Sequence, residues 1–233
     1  MKKTIFAAAA SLVAALTVAG CGAGKEAAEA APAGEQINVI EDTAEAAPEK
    51  KEPGDIVWLG DSLTQGSLGE KDDNLANAPY EKLQKLVDVF VDGYGFYGDK
   101  TNEIFYMYLD VDRCNQEVDP NKTYIFWVGS NDWVWDGSAN ADTAPVIEKI
   151  DSFLAKGPVT NYIVIGTTSR IDIGDLYISI NKDLEEHYKE HYMDVIDIIN
   201  TYGYSEDQVH LSQASYDAVA EAVYEKLKAL GYI

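Results

Sequence analysis

Short apolar runs alternate with stretches of helical periodicity along most of the chain. Five runs rich in branched and aromatic residues are bounded by Gly, Pro or Asn, as strands covered on both faces are: 55–60, 87–91, 123–129, 161–168 and 194–199. Helices are predicted near 79–86, 102–109, 144–155, 177–190 and 213–229. This alternation implies right-handed crossovers between parallel strands. The expected fold is a three-layer α/β/α sandwich with a five-stranded parallel sheet.

The last predicted helix carries the clearest pattern. Its apolar residues fall at spacings that mark one helical face; they are Tyr216, Val219, Ala220, Val223, Leu227 and Leu230. Ser212 can cap the start of this helix, and Gly231 can cap its end.

The amino terminus has the composition of an export signal. Two lysines precede an apolar run over 5–19, which is shorter than the roughly 20 residues that a membrane-spanning helix needs. We therefore expect a signal peptide over 1–20. It ends in Val-Ala-Gly-Cys, which resembles the bacterial lipobox and implies that Cys21 is lipidated at the cell membrane. The alternative is a conventional signal peptide in which Cys21 has no role.

The next segment, 21–54, is rich in Ala, Glu, Pro and Lys and nearly lacks aromatic residues. Such a composition cannot bury enough apolar surface to fold, so the segment is predicted to be a disordered tether. The folded domain is then expected over 55–233.

Composition and charge narrow the classes of function. The 233 residues are 46% apolar, which is enough to build one sizeable core. Acidic residues number 40 against 18 basic ones, and the resulting net charge of −22 disfavours nucleic acid and anionic lipid surfaces. Two cysteines exclude a disulfide-rich scaffold and an all-cysteine zinc cluster. If Cys21 is lipidated, Cys114 is a free thiol.

Side chains that could take part in catalysis or binding follow the predicted strands. In open parallel sheets the ligand crevice lies at this end of the strands. Ser62 follows the first strand and could present its hydroxyl at the sheet edge, or it could simply cap a helix. Asn131 follows the third strand, and its amide could donate to an oxyanion or form an Asx turn. The stretch 93–98 contains three glycines, which let backbone N–H groups approach a ligand closely or form tight turns.

Asp207 and His210 lie just before the last predicted helix. Their three-residue spacing lets the carboxylate accept a hydrogen bond from the imidazole, which would fix its tautomer and support its imidazolium form.

Taken together, these blocks resemble the SGNH hydrolase superfamily, also called the GDSL esterases and lipases. The resemblance spans 55–233 and implies a flavodoxin-like sandwich. The matching residues are Ser62, Gly98, Asn131, Asp207 and His210. Two positions depart from the pattern: Gly93 stands where relatives often have Asn, and Gln208 stands where they often have Gly.

The resemblance also implies a mechanism. Ser62 would be the nucleophile, His210 its general base and Asp207 the carboxylate that orients the imidazole. The oxyanion would be held by the backbone N–H groups of Ser62 and Gly98 and by the Asn131 amide. No metal or organic cofactor is implied.

Several neighbouring residues have two interpretations. Trp133 and Trp135 could stack on a substrate at the crevice rim or pack their loop against the domain. Arg170 could bind a polar substrate group, although a surface ion pair is favoured. Asp61 and Asp132 are expected to hold the serine and asparagine loops through backbone hydrogen bonds.

His187 and His191 are four residues apart on a predicted helix, a spacing that can place two imidazoles near one metal ion. The residues between them do not match the HExxH pattern, so solvated helix histidines are favoured. Trp58 and Trp127 lie within predicted strands and are expected in the core.

The sequence thus predicts an extracytoplasmic serine esterase, held at the membrane only by its lipid, that deacetylates carbohydrate esters. The alternatives are a lysophospholipase and a short-chain acyl esterase or thioesterase. A different class is a surface lipoprotein that binds glycans without catalysis. The expected partner is a small ester or an acylated glycan and not nucleic acid, and a monomer is expected.

Overall fold

The polypeptide alternates strands with helices, as the apolar runs predict. The structure, a computed structural model, describes residues 53–69, 75–134 and 142–233. The predicted signal peptide, Cys21, Trp135 and the tether up to residue 52 lie outside the described residues.

Five strands form one parallel sheet, which confirms the predicted architecture. Their spatial order is β2-β1-β3-β4-β5. The strands are β1 (Ile56–Gly60), β2 (Val91–Gly95), β3 (Thr123–Trp127), β4 (Tyr162–Ile165) and β5 (Tyr192–Met193). All four pairings between neighbouring strands are parallel.

Eight α-helices connect and cover the strands within the described ranges. They are α1 (Ser62–Gln65), α2 (Pro79–Gln84), α3 (Thr101–Leu109), α4 (Ser130–Val134), α5 (Ala144–Lys156), α6 (Leu176–Tyr188), α7 (Ile196–Tyr202) and α8 (Gln213–Ala229). Within these ranges, no helix combines the length and the apolar character that crossing a membrane requires.

Both faces of the sheet are buried, because successive side chains of a strand point to opposite faces. Ile56 and Trp58 of β1 pack on one face with residues of α2, α7 and α8. Val57 and Leu59 pack on the other face with residues of α3, α5 and α6. Helix layers on both faces explain why the central strands consist of uninterrupted apolar residues.

The second strand begins four residues later than its apolar run predicts. The run over 87–91 precedes the strand and leaves Phe90 59% exposed, and β2 itself reads Val-Asp-Gly-Tyr-Gly. β2 is an edge strand, so burial on both faces is not required of it. Gly93 is needed there for a packing reason, because a β-carbon at this position would lie 2.2 Å from the ring of Tyr80.

The prediction of a strand over 194–199 is wrong. The fifth strand is the two-residue β5, and most of the predicted run forms α7. Asp194 Oδ1 accepts a hydrogen bond from the Ile196 N–H at 2.6 Å and so turns the chain into the helix. Val195 and Ile199 are buried four residues apart, a helical spacing that a short apolar run does not distinguish from a strand.

The last helix is confirmed at Gln213–Ala229. Ser212 caps its start, and its hydroxyl accepts a hydrogen bond from the Ser215 N–H at 3.2 Å. Leu230 is the C-cap residue of this helix and is followed by Gly231 at φ +71°. The α2, α3, α5 and α6 predictions agree with the structure to within about two residues at each end.

Candidate active site

Three loops that carry the predicted chemistry begin side by side at one edge of the sheet. β1 lies between β2 and β3, and its last residue, Gly60, is level with Gly95 of β2 and Trp127 of β3. Because the strands are parallel, the chain leaves all three in the same direction. The segments after these strands therefore share one crevice.

Ser62 stands at the first position of α1, in a tight turn after β1. Asp61 is the N-cap of this helix, and its Oδ1 accepts a hydrogen bond from the Leu63 N–H at 2.9 Å. The turn requires Gly60, because a β-carbon there would lie 2.4 Å from the carbonyl oxygen of Trp127. The expectation that Asp61 holds the serine loop is met by this contact.

Asp207 organises the turn that carries the histidine. Its Oδ1 accepts hydrogen bonds from the backbone N–H groups of Val209 and His210, both at 2.9 Å, and from the Ser205 hydroxyl at 2.8 Å. Gln208 has a φ of +58°, so it occupies the left-handed region where many relatives are expected to have glycine. The turn is therefore built with a non-glycine residue at that position.

The structure brings Ser62, His210 and Asp207 into one chain of hydrogen bonds. Ser62 Oγ lies 2.9 Å from His210 Nε2, and His210 Nδ1 lies 2.6 Å from Asp207 Oδ2. A carboxylate can only accept, so Nδ1 carries the proton and Nε2 is left to accept from the Ser62 hydroxyl. Two residues 148 positions apart thus meet at hydrogen-bonding distance.

Asp207 is held as a carboxylate. Partial burial raises the pKa of Asp207, but hydrogen bonds from the His210 side chain, from two backbone N–H groups and from Ser205 outweigh burial and bring this pKa well below its usual value. Its negative charge is therefore present at neutral pH, where it can support an imidazolium on His210.

Tyr97 covers one side of His210. The two rings are stacked with centroids 5.6 Å apart and planes inclined by 21°. The Tyr97 hydroxyl donates a hydrogen bond to the carbonyl oxygen of Gly69 at 3.3 Å. The stacking restricts the tilt of the imidazole. Sequence reasoning missed this residue, although its place directly before Gly98 was a signal.

The proposed oxyanion donors lie around the same crevice. Gly98 has a φ of +80°, and a β-carbon there would meet no heavy atom within 4 Å. Asn131, on α4, donates from Nδ2 to the carbonyl oxygen of Asp99 at 3.0 Å, so it lies against the Gly98 loop. Apart from the bonds within helices and strands, no backbone carbonyl of the described residues accepts a hydrogen bond from the N–H of Ser62 or of Gly98.

Comparison with family models and with curated proteins finds no match to this sequence. Solved structures do match. A member of the lipolytic protein G-D-S-L family from Veillonella parvula is 20% identical, with 73% of this chain and 96% of that chain covered and a TM-score of 0.58. The family 3 carbohydrate esterase of Clostridium thermocellum is 16% identical over 77% and 98% of the two chains, with a TM-score of 0.59.

A third match is the lipase/acylhydrolase of Enterococcus faecalis, 17% identical over 76% of this chain and 96% of that one, with a TM-score of 0.58. The chain has the SGNH (GDSL) hydrolase fold.

Asp132 binds a loop other than its own. Its Oδ2 accepts hydrogen bonds from the backbone N–H and the hydroxyl of Thr101, at 2.8 and 2.9 Å, and its Oδ1 accepts from Lys149 Nζ at 2.8 Å. Thr101 starts α3 directly after the Gly98 loop. Asp132 therefore ties the glycine loop of the SGNH fold to α4 and α5, whereas the sequence predicts that it holds the asparagine loop.

Trp133 is buried and does not lie at the crevice rim, which corrects its expected position; of its two interpretations, the structure favours packing of the loop against the domain. It is 6% exposed, packs against Gly129, and donates from Nε1 to the carbonyl oxygen of Asp142 at 3.3 Å. An aromatic side chain at this helical position fills the core beneath the loop. Trp58 and Trp127 are fully buried, as expected.

The two helix histidines do not share a face. α6 ends at Tyr188, so His187 lies within the helix and His191 lies beyond it. His187 Nε2 pairs with Asp151 Oδ2 at 2.9 Å, and the His191 ring stacks on Tyr162 with centroids 4.1 Å apart. Among the residues that the structure describes, no group of three His, Cys, Asp or Glu side chains could hold a metal ion.

Arg170 forms an ion pair with Asp172, as favoured, but only Asp172 is exposed at the surface. Arg170 itself is 7% exposed, and its side chain reaches the asparagine loop. Sequence reasoning missed this contact, because no local pattern links two loops that are separated by 39 residues.

Asp61 is the least satisfied carboxylate at the site. It is 1% exposed, and its Oδ2 has no hydrogen-bond partner among the described residues. Burial raises the pKa of Asp61 to about 6, although the Leu63 N–H and the nearby charges of Arg170 and His210 act in the opposite direction. Near neutral pH this carboxyl is therefore close to its titration point.

We expect Asp61→Asn to raise the free energy of unfolding by about 1–3 kcal/mol at pH 8 and to change it little at pH 4. The pKa of Asp61 is raised on folding from 3.8 to about 6, so the stability linked to its proton is present below 3.8 and is lost as pH rises through 6. The amide keeps an oxygen for the Leu63 N–H and carries no charge. Urea unfolding at the two pH values measures the difference.

Asp112→Asn is the matched control, because Asp112 is exposed. This variant should show no gain at pH 8 relative to pH 4. An equal effect of Asp61→Asn at both pH values would contradict the assignment of a buried, titrating carboxyl.

Proposed function

We propose that this protein is a carboxylic ester hydrolase of the SGNH superfamily that works through an acyl-serine intermediate. The observation that carries the proposal is the hydrogen-bonded chain from Ser62 through His210 to Asp207. A serine hydroxyl is a weak nucleophile by itself, and an imidazole held by a carboxylate is the arrangement that activates it.

The first half of the reaction uses this chain directly. Ser62 Oγ attacks the ester carbonyl carbon, and its proton passes to His210 Nε2, 2.9 Å away. Asp207 keeps its charge and stabilises the imidazolium that forms. The imidazolium then returns the proton to the alkoxide leaving group, and the alcohol departs.

The tetrahedral intermediate places a negative charge on the former carbonyl oxygen. The donors proposed for it are the N–H groups of Ser62 and Gly98 and the Nδ2 group of Asn131. Such a donor is worth about 3–4 kcal/mol in the transition state when it is fixed in advance. In the second half, His210 removes a proton from water, which attacks the acyl-serine and releases the acid.

Ser62→Ala should reduce hydrolysis of 4-nitrophenyl acetate to background, because it removes the hydroxyl that attacks the ester and carries the acyl group. The variant should also lose labelling by a fluorophosphonate probe, which requires an activated serine. Turnover and labelling are measured on the full chain alongside a thermal unfolding curve.

Ser152→Ala is the matched control, since Ser152 is an exposed serine on α5 and should keep both activities. Turnover at the wild-type level in Ser62→Ala would refute the assignment. A folded wild-type protein without labelling would instead support a glycan-binding lipoprotein that lacks catalysis.

For the substrate we propose acetyl esters of carbohydrates. The similar structure from Clostridium thermocellum is named a carbohydrate esterase, and this chain matches it over 77% of its length. The net charge of −22 also disfavours strongly anionic substrates such as nucleotide thioesters.

Two exposed apolar residues favour a second candidate, an acyl ester with a longer chain. Ile171 is 71% exposed, and its N–H donates to the carbonyl oxygen of Gln208 at 3.3 Å, within the histidine turn. Leu68 is 39% exposed and precedes Gly69, which lies against Asp207. Apolar side chains beside that turn could contact an alkyl chain.

Side-by-side assays should show higher kcat/KM on acetylated xylo-oligosaccharides than on a lysophospholipid. The expected ratio is at least about tenfold, because an acetyl group needs no apolar channel and the protein repels anionic headgroups. Released acetate and released fatty acid are the measured products. A preference for the lysophospholipid would reverse the choice between the two candidates.

We further propose that the protein is exported and held at the extracytoplasmic face of the membrane by a lipid on Cys21. The support is the order of the basic residues, the apolar run and the cysteine in the first 21 residues. An enzyme in that location would meet glycans and lipids, which agrees with the proposed substrates.

Cys21→Ser should move the protein from the detergent phase to the aqueous phase in a detergent partition of expressing cells and should abolish incorporation of a labelled fatty acid. Cys114→Ser is the matched control, because it removes the other cysteine of the chain and should leave both readouts unchanged. Incorporation of the label into the Cys21→Ser variant would contradict lipidation at this residue.

A further inference from the structure

Arg170 is a buried cation in the loop that follows β4. The residue is 7% exposed, and arginine is rarely buried to this extent unless it is paired. Nε donates to Asp172 Oδ1 at 3.0 Å, and Nη2 donates to Asp172 Oδ2 at 2.7 Å. Two parallel bonds to one carboxylate fix the plane of the guanidinium group.

The remaining nitrogen of the guanidinium reaches the asparagine loop. Nη1 donates to the carbonyl oxygen of Ser130 at 3.3 Å and to Asn131 Oδ1 at 3.2 Å. Arg170 therefore contacts the one side chain that the proposed mechanism uses as an oxyanion donor.

The Asn131 amide is held at both ends by groups of opposite character. Its oxygen faces Arg170, which can only donate, and its nitrogen faces the carbonyl oxygen of Asp99, which can only accept. Rotating the amide by half a turn would set NH₂ against the guanidinium and oxygen against the carbonyl. Both contacts would become repulsive, so the two partners select one orientation.

We infer that Arg170 is a positioning residue that holds the Asn131 amide with its Nδ2 group directed to the oxyanion. This inference rests on the proposed function. Nδ2 carries two hydrogens; one is donated to Asp99, and the other remains for the substrate oxygen. Without Arg170 the amide could rotate and present its oxygen, which would repel the developing negative charge.

The loop around Arg170 also touches the histidine turn, so a purely structural role must be separated from positioning. The Ile171 N–H donates to the carbonyl oxygen of Gln208 at 3.3 Å, and Ser169 Oγ lies 2.9 Å from the Tyr204 hydroxyl. Loss of these contacts would disturb substrate binding and the triad together, and its effect would not depend on Asn131.

A double-mutant cycle on kcat for 4-nitrophenyl acetate distinguishes the two roles. Asn131→Ala should lower kcat about 100- to 1,000-fold, as removal of an oxyanion donor does. Arg170→Ala should lower kcat about 10- to 100-fold while KM changes less than about twofold. The double variant should match Asn131→Ala within about twofold, because Arg170 has no amide left to orient.

Arg113→Ala is the matched control. Arg113 is the chain's other arginine, is exposed, and should keep wild-type kcat when replaced. If Arg170→Ala does not fold, Arg170→Lys carries the test, since a single ammonium keeps the charge but cannot bind Asp172 at two points and Asn131 at once. Arg170→Lys should also lower kcat when Asn131 is present, and it should have no further effect in the Asn131→Ala background.

The inference would be overturned if the reductions in kcat of the two single variants multiplied in the double variant. An unchanged kcat in folded Arg170→Ala would also overturn it. Ser62→Ala in the same assay separates this failure from failure of the proposed function. If wild-type hydrolysis depends on Ser62 but not on Arg170, only the positioning role is lost. If hydrolysis does not depend on Ser62, the proposed function fails and the positioning role fails with it.

Discussion

The pairing of β1 with β2 on one side and β3 on the other is the constraint on which the site depends. It sets Gly60, Gly95 and Trp127 at one level of the sheet. From there the chain needs only two residues to reach Ser62 and four to reach Asn131. The positions of the proposed nucleophile and oxyanion donors thus follow from the register of these strands, whose apolar residues are buried. The strand register that buries the core residues therefore also sets where the site loops begin.

Placing these loops close together buries polar groups, and each buried group has a different set of hydrogen-bond or ion-pair partners. Asp132 satisfies both oxygens, with Thr101 and Lys149. Arg170 forms an ion pair with Asp172, and its Nη1 donates a hydrogen bond to Asn131. Asp61 keeps one oxygen without a partner among the described residues, and its pKa rises to about 6. A buried charge without a partner is unfavourable, so the charged form of the carboxyl next to the proposed nucleophile is disfavoured.

The sequence correctly located the strands that are covered by helices on both faces of the sheet. It misplaced the edge strands. The central strands β1, β3 and β4 are covered by helices on both faces, and their apolar runs located them. The edge strands β2 and β5 are not required to be apolar throughout, so the run over 87–91 preceded its strand and that over 194–199 became a helix. The role of Trp133 stayed open for a related reason: an aromatic residue beside a loop gives the same local pattern whether it faces the crevice or the core.

The sequence by itself determined the central strands, the five helices predicted between and after the strands, the residue types after each strand and the excess of acidic groups. It also brought Asp207 within reach of His210, because a three-residue spacing is a local property of the chain. Only the tertiary structure decided that Ser62 meets His210, that Tyr97 stacks on the imidazole and that Arg170 holds the Asn131 amide. These contacts join segments from different loops, and their geometry follows from strand register and loop packing, which local patterns of polarity do not encode.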